Sequence, residues 1–567
     1  MNKGANGLTR RKVVKGMLAA CVATGAGAAT TEPATTQADS ISPDDLAAAD
    51  RVAGRTYTAA QQKQMLSIVT RRRRMYRDLR KLPIDPNTAP AMRFDPRLPE
   101  TQIPSGASSL AISEEAITPT KDELPFATIG QLAAMIRSRK INSVELTKLY
   151  LSRLKEIGPK LLCVVNLLED RALKTAGRAD EEISAGNYRG PLHGIPYGAK
   201  DLLAAAGAPT TWGVSPYKDR VFDQDATVIQ KLEQAGAVLV AKLSLGELAM
   251  GDVWFGGMTR NPWNPKEGSG GSSAGPGAAV AAGLVAFAIG SETLGSIVSP
   301  CVNCGVYGLR PTWGRVSRFG AMALCQSMDK LGPMARCPQD LAIVLAAIHG
   351  SDGRDMTVVD APFQWDANAD VKKLRVGIDS AAFETLKDEK QRSVRSVYDD
   401  AIKVIQKITG VELKPITLPP TKNYNGLASL TIAAEAACNF TELINSPAID
   451  ELVQQDDGSW PNVFRAGSTI PASDYLRSQQ VRTMLMHEMR DALKDVDVLV
   501  TLPFVGPQSS YTNLTGHPSV VTRCGFVDER PKMIELVGQL YREDQILLLA
   551  HAMERELQLC SRWKVAL

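Results

Sequence analysis

Apolar and polar positions along the chain change their spacing from one segment to the next. From Leu132 to Leu149, apolar side chains recur every three or four residues, which predicts amphipathic helices. Residues 235–241 form a continuous apolar run that predicts a buried strand, and the apolar stretch 278–289 is long enough for a core helix. This alternation continues to the end of the chain. It favours an α/β fold, a single large domain with a central mixed β-sheet flanked by helices.

The first residues are typical of an export signal. Arg10 and Arg11 precede a modest apolar run that ends at the small residues Ala26 to Ala28. The run is too short to span a bilayer, and paired arginines before such a run resemble a twin-arginine signal. Residues 1–28 are therefore predicted to be a cleaved signal peptide of a periplasmic or secreted protein without stable membrane insertion. A disordered basic tail and a lipoprotein site at Cys21 are the alternatives.

The rest of the chain divides into an N-terminal extension and one large domain. Residues 29–125 form the extension, with a helical segment at 56–82 followed by a proline-rich arm. The arm either covers the site or mediates a homodimer. Residues 126–560 form the domain, in which about 350–480 is a variable region expected to supply the substrate side.

Composition and charge exclude several classes of protein. The chain has 567 residues, and 65 Lys and Arg against 61 Asp and Glu leave a net charge of only +4, so a dedicated nucleic-acid binder is not expected. Nine Cys in this length do not make a disulfide scaffold. Five His and the single pair Cys301-x-x-Cys304, which has no second pair at zinc spacing, give no reason to expect a metal.

A Gly/Ser loop at 268–277 is the first candidate for chemistry, and three interpretations compete. A phosphate cradle of the P-loop type lacks its Gly-Lys-Ser/Thr. The segment Gly271-x-Ser273-x-Gly275 matches a nucleophile elbow, but that motif needs a preceding strand, and 261–266 predicts a loop. An elbow also needs a catalytic His, and no His has a distinguishing context. The third interpretation is a flexible loop.

Three polar residues in separate segments support a different chemistry. Lys200 follows Gly194-Ile195-Pro196, Ser272 lies in the Gly/Ser loop, and Ser296 follows the apolar stretch. A Ser hydroxyl is a weak nucleophile until a base takes its proton. A Lys becomes such a base when burial disfavours its charged form and lowers its pKa.

The three segments that contain Lys200, Ser272 and Ser296 resemble the amidase signature family. Gly-Gly-Ser-Ser at 270–273, Gly-Ser-Ile at 295–297 and the block 194–201 fit the family pattern. The resemblance covers about 126–555, and a peptide-amidase-like branch is compatible with it. Further matching segments are Asn261–Asn264, Gly305–Thr312, Asp329–Arg336, Asn513–Pro518 and Glu543.

The resemblance implies a Ser-cisSer-Lys triad. Ser296 is the expected nucleophile, Ser272 follows a cis peptide bond and relays the proton, and Lys200 is the general base. The backbone N–H groups of the segment 293–296 are expected to form the oxyanion hole, and neighbouring loop residues to support it. The oxyanion residues are Thr293, Leu294, Gly295 and Ser296, and the supporting ones are Gly270, Gly271 and Ser273. The family needs neither a metal nor an organic cofactor.

Two departures from the family pattern concern the nucleophile segment. Leu294 stands where Gly is common, and a positive φ there would be strained. Val298 replaces a common Arg, so the partner that this Arg provides for Glu292 is expected to be missing. Both departures bear on the substrate class more than on the triad.

The resemblance leads to an exported amidase that hydrolyses a small-molecule amide. Alternatives on the same triad are an esterase and a carbamate hydrolase. Another is an A-type subunit of a glutamine amidotransferase, which works with partners on charged tRNA, and the last is a non-catalytic binding protein. Trp212, Trp254 and Phe255 are candidates for pocket walls, although bulky aromatic side chains more often pack in the core.

Overall fold

The computed structural model describes residues 41–52, 55–82, 107–113, 118–386, 392–561 and 565. Its strands are β1 (Ser109–Ala111), β2 (Val164–Leu167), β3 (Pro196–Lys200), β4 (Val238–Leu243), β5 (Val253–Trp254), β6 (Gly257–Met258), β7 (Arg260–Asn261), β8 (Asn264–Gly268), β9 (Phe287–Glu292), β10 (Tyr307–Arg310), β11 (Lys330–Ala335), β12 (Gln364–Asp366), β13 (Val376–Ile378), β14 (Lys414–Pro415), β15 (Val498–Thr501), β16 (Ser519–Val527) and β17 (Arg530–Gly538).

Its helices are α1 (Pro43–Val52), α2 (Ala59–Lys81), α3 (Ile129–Arg137), α4 (Ser143–Leu161), α5 (Glu169–Ser184), α6 (Thr227–Gln234), α7 (Ala274–Ala281), α8 (Val298–Cys304), α9 (Pro338–Ile348), α10 (Ser380–Glu384), α11 (Arg392–Thr409), α12 (Leu427–Asn439), α13 (Thr441–Ile444), α14 (Trp460–Gly467), α15 (Ala472–Leu493), α16 (Gln508–Thr515) and α17 (Glu543–Leu557). Within the described ranges, none of these helices has the length and apolar character needed to cross a membrane.

A mixed sheet of eleven strands forms the centre, in the order β14-β13-β15-β17-β16-β10-β11-β9-β3-β4-β2. Both of its faces are covered, because the neighbouring residues Ala288 and Ile289 of β9 belong to two different hydrophobic clusters. The cluster of Ala288 includes Val280 of α7, and that of Ile289 includes Leu341 of α9. The predicted α/β fold with a central mixed sheet flanked by helices is confirmed.

Two neighbouring strands of this sheet carry the candidate residues. β3 runs parallel to β9, with Ala199 opposite Ile289. Lys200 ends β3, and β9 ends at Glu292, four residues before Ser296. The Gly/Ser loop precedes α7, which packs against β9. The fold therefore brings three distant segments of the sequence to the same edge of the sheet.

Two local predictions are wrong. The apolar stretch 278–289 is not one helix, because α7 ends at Ala281 and the chain turns at Gly283, whose φ of 65° is left-handed. The residues that follow form the central strand β9. The predicted loop 261–266 is a two-stranded ribbon, since Asn261 of β7 pairs with Asn264 of β8 around a two-residue turn.

Helix α2, in the N-terminal extension, packs on helices of the variable region. Met65, Ile68 and Tyr76 are buried at helical spacing, and α2 contacts α14 and α15. Met75 lies so close to Gly426 that a Cβ atom at Gly426 would lie 2.3 Å from its Cε. Residues of the extension further contribute β1, which pairs in parallel with β12. The extension and the variable region thus share contacts in two places.

Candidate active site

Lys200 lies at the centre of a cluster of three serine hydroxyls. Its Nζ is 2.8 Å from Ser272 Oγ, 2.9 Å from Ser291 Oγ and 3.0 Å from Ser273 Oγ. The side chain is fully buried. The structure therefore brings the predicted residues Lys200 and Ser272 into direct contact, and it adds Ser291, which the sequence interpretation missed.

The surroundings of Lys200 favour its neutral form. Burial lowers the pKa of the Lys200 amine well below its ordinary value of 10.5, while the negative charges of Asp329 and Glu292 oppose the shift. Neither carboxylate forms an ion pair with Lys200 in the described part of the chain. A neutral amine has a lone pair, so it can accept a proton from a neighbouring hydroxyl group.

The loop that carries Ser272 passes close to a second loop. The peptide bond between Gly271 and Ser272 is cis, as the resemblance implies. A Cβ atom at Gly271 would lie 1.8 Å from the carbonyl oxygen of Gly251, so only glycine fits there. Gly270 N–H donates to the carboxylate of Asp252 at 2.9 Å. These contacts fix the backbone beside Lys200, and the supporting role of the glycines stays a prediction.

Ser296 lies on a turn that leaves its backbone donors available. Ser273 N–H donates to the carbonyl oxygen of Ser296 at 3.0 Å, which joins this turn to the Gly/Ser loop. The N–H groups of residues 294–296 donate to no residue that the structure describes. Within the same residues, the Ser296 hydroxyl has no hydrogen-bond partner, and the residue retains 8% exposure. The turn therefore offers a hydroxyl and free N–H groups at one place.

Leu294 does not adopt the positive φ at which its backbone would be strained. The left-handed residue of this turn is Gly295, with a φ of 83°, whereas Leu294 is not among the residues of positive φ. The ring of Phe504 packs over Gly295, where an added Cβ atom would lie 2.7 Å from Phe504 Cε1. The position in this turn that requires glycine is therefore 295, and the sequence has glycine there.

The geometry argues against a nucleophile elbow at Ser273. Its hydroxyl donates to the carbonyl oxygen of Ser291 at 3.0 Å and accepts from the N–H of the same residue at 3.1 Å. Ser273 is fully buried, whereas the elbow nucleophile must face the substrate. The ribbon strand β8, which precedes the loop, is not part of the central sheet. His517, whose pKa burial lowers to about 4, bonds to Thr515 instead.

Glu292 has a strong cationic partner despite the absence of Arg at 298. Arg310 Nη1 lies 2.8 Å from Glu292 Oε1, and both side chains are fully buried. The other carboxylate oxygen accepts the N–H groups of Ile297 at 2.8 Å and Val298 at 3.0 Å. Burial opposes the ionisation of Glu292, but Arg310 and Lys330 outweigh it and lower its pKa to about 2.

The pairing with an Arg at 298 is absent, as expected from Val298, but the guanidinium of Arg310 on β10 replaces it. Asn513 Nδ2 adds a hydrogen bond to Glu292 Oε1 at 2.9 Å. Arg310 and Asn513 both lie in segments that match the family pattern, but their role depends on contacts between distant strands. The sequence contains no local signal for such contacts.

A cavity of about 320 Å³ lies beside the site. Thr293 lines it and donates through its hydroxyl to Asp329 Oδ1 at 2.6 Å. Its walls come mainly from 318–331, and the variable region contributes only 354–357. The role of about 350–480 as the substrate side stays a prediction. Trp212, Trp254 and Phe255 are not among the residues that line this cavity.

Metal-binding side chains do not gather in the described part of the chain: no group of three or more His, Cys, Asp or Glu side chains could hold an ion there. Cys301 and Cys304 are buried free thiols, and burial raises the pKa of both.

Comparison with known proteins gives consistent results at several levels. The family model named Amidase matches residues 145–547. The A subunit of glutamyl-tRNA(Gln) amidotransferase from Carboxydothermus hydrogenoformans is 31% identical over 477 residues, which are 76% of this chain and 98% of that protein. Its counterpart from Roseiflexus castenholzii is 34% identical over 471 residues, with 76% and 95% covered.

Solved structures show the same similarity. Native peptide amidase from Stenotrophomonas maltophilia superposes with a TM-score of 0.68 and 29% identity, covering 77% of this chain and 98% of that one. A bacterial aryl acylamidase of the amidase signature enzymes superposes with a TM-score of 0.66 at 20% identity, covering 77% and 97%, which supports the fold.

One expectation is overturned by these relatives. The curated relatives are components of an enzyme named for a glutamyl-tRNA, and tRNA is charged in the cytosol. The predicted periplasmic or secreted location is therefore wrong. Residues 1–28, which led to it, lie outside the described residues.

The family model spans more than half of the chain, and the relatives exceed 30% identity over almost their whole length. The two solved structures share its fold over 77% of this chain. This chain belongs to the amidase signature family and is an amidohydrolase, an enzyme that acts on amides.

Proposed function

We propose that the protein hydrolyses a carboxylic amide through an acyl-enzyme on Ser296. The observation that carries the proposal is the 2.8 Å contact between the buried amine of Lys200 and the hydroxyl of Ser272. Burial lowers the pKa of this amine and so favours its neutral, basic form. Ser272 directly precedes Ser273, whose N–H donates to the carbonyl oxygen of Ser296 at 3.0 Å, and this bond supports a relay by holding the two loops together.

The proposed reaction has two halves. Ser296 Oγ attacks the amide carbon while its proton passes through Ser272 to Lys200, and the N–H groups of residues 293–296 receive the oxyanion. The Lys200 ammonium then returns the proton to the amide nitrogen, the C–N bond breaks, and ammonia or an amine leaves. Water attacks the acyl-enzyme by the same relay, which releases the acid and restores the Ser296 hydroxyl.

A fluorophosphonate probe followed by intact-mass spectrometry and peptide mapping tests the nucleophile. We expect one adduct on the wild-type protein, at Ser296, and none on Ser296→Ala. Ser273→Ala is the matched control, because it removes a hydroxyl from the same cluster, and it should still be labelled. An adduct on Ser273, or labelling of Ser296→Ala at the wild-type rate, would contradict the proposal.

Esters and carbamates form the same acyl-enzyme, so the bond that is cleaved needs its own test. We expect amide hydrolysis to depend on Ser296 and to be comparable in efficiency with hydrolysis of an ester of the same acyl group. Rates on matched amide, ester and carbamate substrates measure this. A protein that turns over only the ester or the carbamate would be a hydrolase of that bond instead.

A second candidate is an A-type subunit of a glutamine-dependent amidotransferase. The observation in its favour is that the curated relatives are such subunits, at 31% and 34% identity over 95% or more of their length. If the protein is such a subunit, Ser296 is acylated by the side chain of glutamine. The ammonia that is released then passes to a glutamyl-tRNA held by partner proteins. The small net charge of the chain implies that the partners hold the tRNA.

Purification from the native host separates the two candidates. An amidotransferase component should co-purify with its partner proteins and should support glutamine-dependent amidation of glutamyl-tRNA(Gln). A self-contained amidase should purify alone and release free ammonia from an amide in the absence of tRNA. Full activity on amides without partners, together with no tRNA amidation, would exclude the second candidate.

We also propose that residues 126–560 form the catalytic unit, with 29–125 as an extension and about 350–480 as its substrate-side region. Two hydrogen-bond sets support the link between this region and the site. Trp460 Nε1 donates to the Leu248 carbonyl at 3.0 Å, and Glu247 accepts the N–H groups of Val453 and Gln454. These bonds fix the turn next to Ala249, which lines the cavity.

A further inference from the structure

The cavity beside the candidate triad has a mostly apolar wall. Leu202, Met322, Leu324 and Leu331 line it, together with Ala249. Its volume of about 320 Å³ lies within the range of small-molecule pockets, about 300–1,000 Å³. An apolar chain of several carbon atoms would therefore be buried next to Thr293, at the proposed oxyanion segment. The apolar wall and the volume of the cavity therefore favour an amide substrate that carries an apolar chain.

Most polar groups in the wall are already paired. Arg318 Nε lies 3.4 Å from Asp355 Oδ2, and its Nη2 donates to Thr357 Oγ1 at 2.9 Å. Asp329 accepts the Thr293 hydroxyl and the N–H groups of Leu324 and Cys325. These groups therefore have little remaining capacity for a charged substrate.

Arg354 is the exception among the charged groups of this wall. Its guanidinium lies 4.9 Å from the centre of the Phe319 ring. It forms no ion pair with any residue that the structure describes, and its side chain is exposed at the mouth of the cavity. Phe319 at 39% and Met356 at 52% exposure form an apolar rim around it. An unpaired cation over an aromatic ring is thus placed where a substrate enters.

The loop that holds Arg354 is built from fixed contacts. Asp352 Oδ2 accepts the hydroxyls of Thr227 at 2.5 Å and Ser317 at 2.6 Å. Its other oxygen accepts the N–H groups of Arg354 and Asp355 at 2.9 Å each. The backbone of Arg354 is therefore tied to two separate parts of the fold, which limits the positions that its guanidinium can reach.

We propose that the preferred substrate is an amide with an apolar chain that ends in a carboxylate, and that Arg354 binds this carboxylate at the cavity mouth. The inference rests on the proposed function, since it places the scissile bond at Ser296. The apolar chain fills the cavity from Thr293 outward, and the carboxylate meets a guanidinium that lacks an ionic partner in the described structure.

Two matched pairs of amides test the preference. Hexanamide and adipic acid monoamide differ by a terminal carboxylate on the acyl arm, and N-butylacetamide and N-acetyl-γ-aminobutyrate differ by one on the amine arm. We expect the acidic member of one pair to have a kcat/KM at least about fivefold higher, mainly through KM. The preference should shrink at high salt, because the guanidinium is exposed.

Variants of Arg354 show whether this residue causes the preference. The ratio of kcat/KM for the acidic and neutral members should fall to about one in Arg354→Gln, invert in Arg354→Glu and be partly kept in Arg354→Lys. Lys373→Glu is the matched control, because Lys373 is exposed outside the cavity lining and the change in net charge is the same as in Arg354→Glu. Its ratio should equal that of the wild type.

Protection of Ser296 from the fluorophosphonate probe provides a readout that does not need turnover. The acidic amide should slow labelling of the wild type more than its neutral partner does, and this difference should vanish in Arg354→Gln. Equal ratios and equal protection in wild type and Arg354→Glu would overturn the inference, while leaving the proposed function intact. Failure of the probe to label Ser296 would instead count against the proposed function.

Discussion

Glu292 and Arg310 form a fully buried ion pair, with 2.8 Å between Oε1 and Nη1. The second oxygen of the same carboxylate holds the N–H groups of Ile297 and Val298, directly after Ser296. The pair therefore joins β10 to the turn of the proposed nucleophile. Because Glu292 is buried with its charge, removal of one partner leaves a carboxylate that the remaining donors must satisfy.

Arg310→Met should destabilise the protein and lower its activity. Loss of one partner of a buried ion pair costs about 3–5 kcal/mol, because the other charge stays buried without compensation. Urea denaturation and amide hydrolysis measure both effects. Arg530→Met is the matched control, since its ion pair with Glu267 is exposed to solvent and should matter little. Equal stability of the two variants would contradict this role of Arg310.

Lys200→Met should retain the fold and lose about two to four orders of magnitude in kcat/KM, as expected when a general base is removed. In the wild type, activity should rise with pH as the Lys200 ammonium loses its proton. Since burial lowers this pKa well below 10.5, activity should reach its plateau before pH 10.5. A rate that still increases through pH 10.5, or a residual rate near the wild type, would exclude Lys200 as the base.

The two neighbouring serines should differ sharply in their effect. Ser272→Ala removes the proposed relay and should reduce kcat by about two orders of magnitude or more. Ser273→Ala removes one hydrogen bond to Lys200 and two to the backbone of Ser291, none of which belongs to the proposed relay, and should lower kcat by about tenfold at most. Steady-state kinetics on one amide decide between them. The reverse order of the two effects would assign the relay to Ser273.

Gly271→Ala should disrupt the site, because its Cβ atom would lie 1.8 Å from the backbone oxygen of Gly251. Overpacking of this kind costs about 1–3 kcal/mol or more. Gly177→Ala is the matched control: it lies inside α5, with nothing within 4 Å of its added Cβ atom, and should stabilise the protein by about 0.5–1 kcal/mol. Chemical denaturation of both variants measures the contrast, and equal effects on stability would contradict it.

Lys330 should make folding stability depend on pH. Burial, together with Arg310, lowers its pKa to about 7 in the folded protein, against 10.5 when it is unfolded. Between these values the unfolded chain binds more protons, so the contribution of this group to stability rises with pH from about 7 to 10.5. Lys330→Met removes that contribution. The stability of the wild type relative to the variant should therefore increase as the pH rises through this window.

The free energies of unfolding of wild type and Lys330→Met at pH 7 and pH 10 test this prediction, because other groups titrate equally in both proteins. Lys373→Met provides the comparison for an exposed lysine. A difference between wild type and Lys330→Met that stays constant across the window would show that Lys330 keeps an ordinary pKa in the folded state.

Much of the fold and of the site could be predicted from sequence. The apolar run 235–241 leads into the buried strand β4, and the blocks around Lys200, Ser272 and Ser296 come together at one sheet edge. These features depend on local patterns and on motif order. The triad could be proposed because each member lies in a recognisable block.

Other features depend on contacts that no local pattern encodes. The pairing of Glu292 with Arg310 needs the antiparallel arrangement of β9, β11 and β10. The cavity wall at 318–331 needs a loop to fold back against Leu202. The division of 278–289 into helix and strand is marked only by Gly283, whose apolar neighbours suit both structures.

The packing of helix α2 limits how the protein can be truncated and how its sequence can change during evolution. A protein truncated to residues 145–547, which match the family model, would lack α2 and would expose to solvent the apolar side chains that Met65 and Ile68 now cover. The proposed triad would nevertheless be complete. Met75 also fills the space that a side chain at Gly426 would need. Positions 75 and 426 are thus expected to covary among descendants that keep this helix, and to vary independently among those that lose it.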